Sequence, residues 1–192
     1  MTRIIAGEAR GLRLDVPGSG TRPTSDRVRE SLFGALESAD AIADARVLDL
    51  YAGSGALGLE ALSRGAATLD LVERARPAAA VVRRNIATVT KALPAATARV
   101  HESAVLAFLG RATGPWDLVF TDPPYDQDDA AMNADLAALA PLLSEDAVVV
   151  IERARRSTPP DVESAGLEVF REKVYGDTAM WWAQPAAASQ SR

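Results

Sequence analysis

The sequence has 192 residues, of which 48% are hydrophobic and 24% charged, and its formal net charge is −5. This length and composition predict one globular domain with a core of its own. Cysteine is absent and histidine occurs once, at His101. Disulfides and thiolate metal sites are therefore excluded, and we expect no metal site built on histidine and no catalytic triad.

The amino-terminal part of the chain is predicted to form a small hairpin and a helix. Two apolar stretches, residues 4–6 and 12–16, flank a glycine-containing turn and read as short strands. Thr24 or Ser25 is the predicted cap of the helix that follows, whose apolar residues recur at helical spacing as far as Leu36.

From Arg46 onward, strands and helices alternate. The predicted strands are 47–50, 69–73, 98–101, 117–121 and 147–151, and the predicted helices are 57–63, one that begins at Pro77, 105–109 and 130–143. This alternation is typical of a parallel sheet with helices on both faces. The last two strands, 167–175 and 178–183, are separated only by Gly176 and Asp177, which predicts an antiparallel hairpin. The result is a seven-stranded, mostly parallel α/β sheet.

Arginines are concentrated at the amino terminus, although the chain as a whole is acidic. Residues 1–29 contain six arginines and three acidic residues, and a second basic cluster consists of Arg153, Arg155 and Arg156. The guanidinium group binds phosphate with two parallel hydrogen bonds. We expect a basic arm suited to phosphate contact (1–38), followed by a main domain (39–185) and a disordered tail (186–192).

The glycine-rich segment 53–58 reads G-x-G-x-x-G and lies between a predicted strand and a predicted helix. Glu73 follows twenty residues after Gly53, at the end of the next strand, where a carboxylate can accept hydrogen bonds from ribose hydroxyls. These features fit NAD and other nucleoside cofactors equally well, so the loop alone leaves both open.

Asp49 favours one of these alternatives, because it lies four residues before Gly53 at the carboxyl end of the strand. A pyrophosphate bound there would be repelled by the carboxylate. S-adenosylmethionine carries a sulfonium and an ammonium group and no phosphate, so the same carboxylate would attract it. The charge at this position therefore predicts S-adenosylmethionine rather than NAD.

The segment Asp122-Pro123-Pro124-Tyr125 follows an apolar strand. Two consecutive prolines remove two backbone donors, so nearby carbonyl groups remain available as acceptors. The Asp122 carboxylate and the Pro123 carbonyl can accept both hydrogens of an amine, and the Tyr125 ring offers a face on which a base can stack. This combination suits an exocyclic amine on a planar ring.

Residues 47–55 resemble motif I of the class I S-adenosylmethionine-dependent methyltransferases, and residues 122–125 resemble their amino-methylating motif IV. The chain more closely resembles the RsmD family, which methylates guanine N2 in 16S ribosomal RNA. The segments that carry this resemblance are 10–14, 21–33, 53–66 and 116–125. The resemblance implies a Rossmann-like class I methyltransferase fold.

The resemblance also implies roles for individual residues. Asp122, Pro123 and Tyr125 would orient and stack the base. The residues implied in cofactor binding are Asp49, Tyr51, Gly53, Ser54, Gly55, Glu73, Arg74, Ser103 and Ala104, and those expected to contact RNA phosphate are Arg10, Arg13, Arg22, Arg27 and Arg29. Family members commonly have Phe where Tyr51 stands, so its hydroxyl is expected to matter little.

The expected partner is 16S rRNA, within a small ribosomal subunit or an assembly intermediate. With no secretory signal and no apolar run long enough to cross a bilayer, we expect a monomeric cytoplasmic protein without membrane contact. Three alternatives remain open from the residues themselves. One is methylation of another planar amine, such as adenine N6, cytosine N4 or a protein glutamine; the others are an NAD-dependent oxidoreductase and a binding module without catalysis.

Overall fold

The computed structural model describes residues 2–18, 25–124 and 127–187. The strands are β1 (Thr2–Arg3), β2 (Arg13–Leu14), β3 (Arg46–Leu50), β4 (Thr68–Glu73), β5 (Thr97–Glu102), β6 (Trp116–Thr121), β7 (Leu143–Ala154), β8 (Leu167–Tyr175) and β9 (Thr178–Pro185). The α-helices are α1 (Asp26–Ser38), α2 (Ala56–Ser63), α3 (Arg76–Thr90), α4 (Val105–Leu109) and α5 (Asp129–Leu139). Within the described ranges, no helix is both long and apolar enough to cross a membrane.

Seven strands form one sheet in the order β5-β4-β3-β6-β7-β9-β8. The first five of these are parallel, and β9 runs antiparallel to both of its neighbours. The predicted α/β fold and its closing antiparallel hairpin are therefore confirmed. Strand β9 lies between β7 and β8, as pairs such as Val150 with Trp182 show. The hairpin turn between β8 and β9 does not by itself specify which of the two strands pairs with β7.

Helices cover both faces of the sheet. On one face, Phe33 of α1, Leu59 of α2 and Val82 of α3 pack against the strands in one apolar cluster. On the other face, Phe108 of α4 and Leu136 of α5 belong to a second cluster. The central strands are consequently buried on both sides, which explains why they read as continuous apolar runs in the sequence.

Three predicted elements differ by several residues from the observed ones. Helix α5 ends at Leu139 rather than at residue 143, because Ala140–Leu142 forms a 3₁₀ turn that contains a proline. Strand β7 then begins at Leu143, four residues before its predicted start. The predicted hairpin at 4–6 and 12–16 is reduced to pairs between β1 and β2, since the N–H groups of Ile5 and Ala6 donate to the carboxylate of Glu60 instead.

The amino-terminal segment is fastened to helix α2. The N–H of Glu8 donates to the carbonyl of Ser63 at 2.9 Å, and the Ser63 hydroxyl donates to the carbonyl of Ala6 at 2.6 Å. Gly7 has φ +81°, and a side chain there would place its Cβ 1.8 Å from the Ser63 carbonyl oxygen. Because Ile4 and Leu14 join the same apolar cluster as the sheet, the arm shares its core with the main domain.

Candidate active site

The fold creates a crevice where β3 lies between β4 and β6. The chain leaves β3 toward helix α2 and strand β4 on one side, whereas β6 is on the other side. Ligands of open α/β sheets bind at such a switch point, beyond the carboxyl ends of the strands. The glycine loop (residues 51–55) follows β3 and the acceptor corner (residues 122–124) follows β6, so both predicted motifs border this crevice.

The glycine loop is tightly turned. Tyr51, Gly53 and Gly55 have φ values of 62°, 57° and 76°, in the region that favours glycine. A side chain at Gly55 would place its Cβ 2.9 Å from Leu71 Cδ2. The glycine at this position is therefore required both by the turn and by the close packing of α2 on β4.

Asp49 is 3% exposed, and its Oδ2 accepts a hydrogen bond from the N–H of Gly58 at 2.9 Å. Burial and, to a smaller extent, the charge of Glu73 raise the pKa of Asp49 to about 7, against the opposing effect of the hydrogen bond from Gly58. Among the described residues, no arginine or lysine forms an ion pair with Asp49. The described part of the crevice thus contains a buried carboxyl group that has no arginine or lysine partner.

Glu73 joins the end of β4 to the glycine loop. Its Oε2 accepts from the N–H of Gly53 at 3.0 Å, and its Oε1 accepts from the N–H of Ala75 at 2.6 Å. Each carboxylate oxygen keeps acceptor capacity for a further hydrogen bond. The backbone carbonyl of Glu73 also accepts from the N–H of Ser103, which places the half-buried Ser103 and the exposed Ala104 at the next strand end.

Asn85 was not singled out by the sequence. It is 2% exposed on α3 and donates to the carbonyl oxygen of Ser54 at 2.8 Å. A polar residue on the buried stripe of α3, with Val82 and Val89 on either side, is the sequence signal that would have identified it.

The acceptor corner is dominated by negative charge. Burial raises the pKa of Asp122 well above its usual value, and the charges of Glu152 and Asp49 raise it further. Glu152 directly follows Ile151, whose strand position pairs with Thr121, so β7 presents this carboxylate beside the corner. Sequence reasoning missed Glu152. The signal for it in the sequence is a charged residue at the carboxyl end of a buried strand.

Pro123 is buried and Pro124 exposed, and the Pro124 carbonyl accepts from the N–H of Gln127 at 3.0 Å. Tyr125, predicted to stack the base, lies outside the described residues. Arg74 is exposed beyond β4. The structure therefore brings Asp49, the glycine loop, Glu73 and Asp122 to one crevice, with Ser103 and Ala104 at its β5 side.

Tyr51 was expected to be replaceable by phenylalanine, but its hydroxyl group forms a specific contact. Its hydroxyl donates to the carboxylate of Asp135 on α5. Burial raises the pKa of Tyr51, and the hydrogen bond to Asp135 raises it further. A phenylalanine could not donate this bond, so the expectation that the hydroxyl matters little does not agree with the structure.

The predicted RNA-contacting arginines separate into two groups. Arg10, Arg13 and Arg27 are exposed, and Arg22 lies outside the described residues. Arg29 is 1% exposed, and its Nη2 donates to the Thr2 hydroxyl, the Arg3 carbonyl and Asp26. The prediction that Arg29 contacts RNA does not hold in this structure, because its guanidinium group is enclosed by the amino-terminal segment.

The strand order, the glycine loop after β3 and the Asp-Pro-Pro corner after β6 define a Rossmann-like class I methyltransferase fold. The same fold is found in magnesium protoporphyrin IX methyltransferase from Synechocystis PCC 6803 with bound SAM, at a TM-score of 0.67 and 13% identity, covering 83% of this chain and 79% of that chain.

Residues 2–184 match the family described as conserved hypothetical protein 95. Ribosomal RNA small subunit methyltransferase D from Escherichia coli K12 is 42% identical over 190 residues, which cover 98% of this chain and 92% of that protein. The solved structure of yhhF from Escherichia coli has a TM-score of 0.82 and 39% identity, covering 97% of this chain and 98% of that chain. The chain belongs to this family, the RsmD family.

Proposed function

We propose that this protein transfers a methyl group from S-adenosylmethionine to the exocyclic N2 amine of a guanine in 16S ribosomal RNA. The observation that carries the proposal is the concentration of carboxyl groups at one crevice, where the charges of Glu152 and Asp49 raise the pKa of Asp122 and the charge of Glu73 raises that of Asp49. Family membership supports the substrate class, because the Escherichia coli relative is named a small-subunit rRNA methyltransferase.

The residues at the crevice fit S-adenosylmethionine. Its ammonium and sulfonium groups would lie near the carboxylate of Asp49, which has no ion pair to an arginine or lysine among the described residues. Opposite charge favours the ionised form of this carboxylate. Glu73 retains acceptor capacity for ribose hydroxyls. The carboxylates of the crevice would repel the negatively charged pyrophosphate of NAD, so the crevice does not suit NAD.

The chemistry follows from the acceptor corner. When bound, S-adenosylmethionine supplies an electrophilic methyl group. The Asp122 carboxylate and the Pro123 carbonyl accept hydrogen bonds from the guanine amine, which localises the nitrogen lone pair toward the crevice. As the N–methyl bond formed and the methyl–sulfur bond broke, S-adenosylhomocysteine would leave and the amine would lose one proton. Because the pKa of Asp122 is raised, its carboxylate would accept that proton better than an ordinary aspartate. Positioning of the two substrates supplies most of the remaining acceleration.

The substrate side of the proposal rests on the arm and on residues beside the corner. We assign RNA phosphate contacts to Arg10, Arg13, Arg22 and Arg27, and base stacking to Tyr125.

On the cofactor side, Ser103 and Ala104 would border the adenine ring, and Arg74 would lie near the ribose. The protein would act as a monomer in the cytoplasm, on a small ribosomal subunit or an assembly intermediate.

Mass analysis of small-subunit rRNA nucleosides tests the proposal. Unmethylated 16S rRNA, free and within small subunits, is incubated with the protein and S-adenosylmethionine, digested and compared with a reaction without protein. New N2-methylguanosine is the expected product. Methylation of adenine N6 or cytosine N4 would overturn the assignment of the base, and no RNA methylation with either substrate would overturn the assignment of the substrate class.

A thermal-shift titration separates the cofactors. We expect S-adenosylmethionine and S-adenosylhomocysteine to raise the melting temperature in a concentration-dependent manner, whereas NADH leaves it unchanged. Stabilisation by NADH alone would overturn the methyltransferase proposal in favour of an oxidoreductase.

A further inference from the structure

One carboxylate oxygen connects the two loops of the crevice. Oδ2 of Asp135, on helix α5, accepts hydrogen bonds from the hydroxyl of Tyr51 and from Nε2 of Gln127, the latter at 2.9 Å. Tyr51 opens the glycine loop, and Gln127 lies three residues beyond Pro124 of the acceptor corner. The donor side and the acceptor side of the crevice are thus held by the same buried group.

Burial makes Asp135 an unusual choice for a purely structural position. It is 6% exposed and lies on the apolar stripe of α5 formed by Met132, Leu136 and Leu139. Within the described parts of the chain, it forms no ion pair with an arginine or lysine. A leucine at such a position would avoid the cost of burying a charge, so packing alone does not account for the aspartate.

The Tyr51 side of this connection is under backbone strain. Its φ of 62° places a bulky residue in the left-handed region, which persists only where the surroundings fix it. The hydrogen bond to Asp135 fixes the ring, and the ring in turn defines where the glycine loop begins. Loss of the hydroxyl would therefore loosen the start of the loop rather than its glycines.

The Gln127 side is held at three points. Its side chain donates to Asp135, its N–H donates to the Pro124 carbonyl at 3.0 Å, and its carbonyl accepts from Nη2 of Arg153 at 3.2 Å. Arg153 also pairs with Asp129 at 2.7 Å, at the start of α5. Gln127 is consequently the residue through which α5 and β7 fix the end of the acceptor corner.

We infer that Asp135 is a positioning residue that sets the distance between the glycine loop and the acceptor corner, acting through Tyr51 and Gln127. The inference rests on the proposed methyl transfer for its effect on rate. Reacting atoms must lie about 3–3.5 Å apart and in line, and a misplacement of about 1 Å costs on the order of 10²-fold in rate. Disruption of this connection should therefore appear in the transfer step rather than in binding of either substrate.

A double-mutant cycle tests the inference through the rate. Single-turnover methyl transfer at saturating S-adenosylmethionine and RNA is measured for Tyr51→Phe, Gln127→Ala and the double variant. We expect each single change to slow transfer roughly tenfold, with Kd for cofactor and RNA within about threefold of the unchanged protein. The double variant should lose little more than the worse single variant, because both act through Asp135. Losses that multiply would overturn the inference.

Tyr175→Phe is the matched control, because its hydroxyl forms a 2.9 Å hydrogen bond with Ser31 between β8 and α1, away from both loops. We expect it to leave the transfer rate unchanged. A loss equal to that of Tyr51→Phe would indicate a general effect of removing a tyrosine hydroxyl and would overturn the inference. A further comparison uses Asp135: Asp135→Asn keeps one acceptor oxygen and should retain more activity than Asp135→Ala.

Amide hydrogen exchange provides a readout that does not require activity. The N–H of Gln127 donates to Pro124 in the acceptor corner, so its exchange reports on the corner itself. Tyr51→Phe should accelerate this exchange and Tyr175→Phe should not. Unchanged exchange in Tyr51→Phe would overturn the inference that Asp135 connects the two loops. If exchange accelerates but the unchanged protein methylates no RNA, the connection is supported and only the proposed function is overturned.

Discussion

Asn85 donates a hydrogen bond to the carbonyl oxygen of Ser54 at 2.8 Å, in the middle of the glycine loop. The same side chain donates to the carbonyl of Asp15 at 2.9 Å and accepts from the N–H of Asp15, also at 2.9 Å. Asp15 directly follows β2 in the arm. One amide group therefore links the segment proposed to approach RNA with the loop proposed to hold the cofactor.

The first prediction concerns Asn85→Ala. Removal of the amide leaves the N–H and carbonyl of Asp15 and the carbonyl of Ser54 without this partner, a loss of about 1–3 kcal/mol. For a chain of this length, the melting temperature should fall by roughly 2–4 °C per kcal/mol. We also expect cofactor affinity to fall several-fold, as measured by calorimetric titration with S-adenosylhomocysteine.

Asn133→Ala is the matched control for this measurement. Asn133 is half-buried on α5 and makes no hydrogen bond to another described residue through its side chain. Its substitution should change neither the melting temperature nor the cofactor Kd appreciably. Equal affinity of the Asn85→Ala variant and the unchanged protein would contradict a role for Asn85 in holding the loop.

The second prediction concerns pH and Asp49. Its pKa is about 7 in the folded protein against an ordinary value of 3.8, so between these values the folded state holds a proton that the unfolded chain has released. Stability of the free protein should therefore decrease as pH rises across that window. Binding of a cation has the opposite dependence, because it requires the ionised carboxylate. Cofactor affinity should rise from about pH 5 to about pH 7 and level off above.

Asp49→Asn provides the control for the pH dependence. The amide cannot ionise, so the slope of log Kd against pH should decrease by up to one in the same range, and affinity near neutral pH should fall. The pKa of Asp122 is raised as well, so the double variant Asp49→Asn/Asp122→Asn shows whether a remaining slope belongs to Asp122. An identical slope in the variant and the unchanged protein would assign the titration to another group.

The third prediction separates catalysis from stability at Asp122. Burial and the neighbouring Glu152 and Asp49 make this carboxylate costly to ionise. Asp122→Ala should therefore leave the melting temperature unchanged or raise it, while methyl transfer falls by about 10²-fold or more because the amine loses its acceptor. Cofactor Kd should stay within a few-fold. A variant that keeps full activity would exclude Asp122 from the reaction.

The fourth prediction concerns the exposed arginines of the arm. Substitution of Arg10, Arg13 and Arg27 by alanine, singly and together, should weaken RNA binding. Each lost phosphate contact should also lower the slope of log affinity against log salt by about one. Filter binding to 16S rRNA across a series of salt concentrations measures both quantities. Unaltered slopes would place the RNA elsewhere on the surface.

Arg29→Met is the contrasting variant. Its guanidinium Nη1 lies 3.8 Å from the Glu60 carboxylate, and the side chain of Glu60 is fully buried. Glu60 keeps its ion pair with Arg64, but the variant loses the hydrogen bonds of Arg29 to Thr2, Arg3 and Asp26. A loss of about 1–3 kcal/mol is expected, so the melting temperature should fall. The salt dependence of RNA binding should remain that of the unchanged protein. A reduced slope would restore Arg29 to the RNA-contacting group.

The amino-terminal arm is part of the folded core, so its deletion would not affect RNA binding alone. Ile4 and Leu14 are part of the apolar cluster shared with the sheet, and Asp15 is bonded to Asn85. Deletion of residues 1–24 would therefore disturb the core and the glycine loop together with any RNA contact. Point substitutions at exposed arginines are the cleaner measure of RNA binding.

The sequence alone predicted the succession of strands and helices along the chain, the glycine loop and the acceptor corner. These features are local, since apolar periodicity, glycine at left-handed positions and consecutive prolines act on neighbouring residues. The charge argument at Asp49 also needed only its position at a strand end, because parallel strands bring such ends to one edge of the sheet.

The tertiary structure alone decided which polar side chains meet. Arg29 and Arg27 look alike in the sequence, yet one is enclosed by the arm and the other is exposed. Asp135, Asn85 and Glu152 act on loops far away in the chain, and their partners are set by how helices pack on the sheet. Periodicity specifies that a residue faces inward; the distances across the packed interior determine whether it meets an apolar side chain, a carbonyl group or another charge.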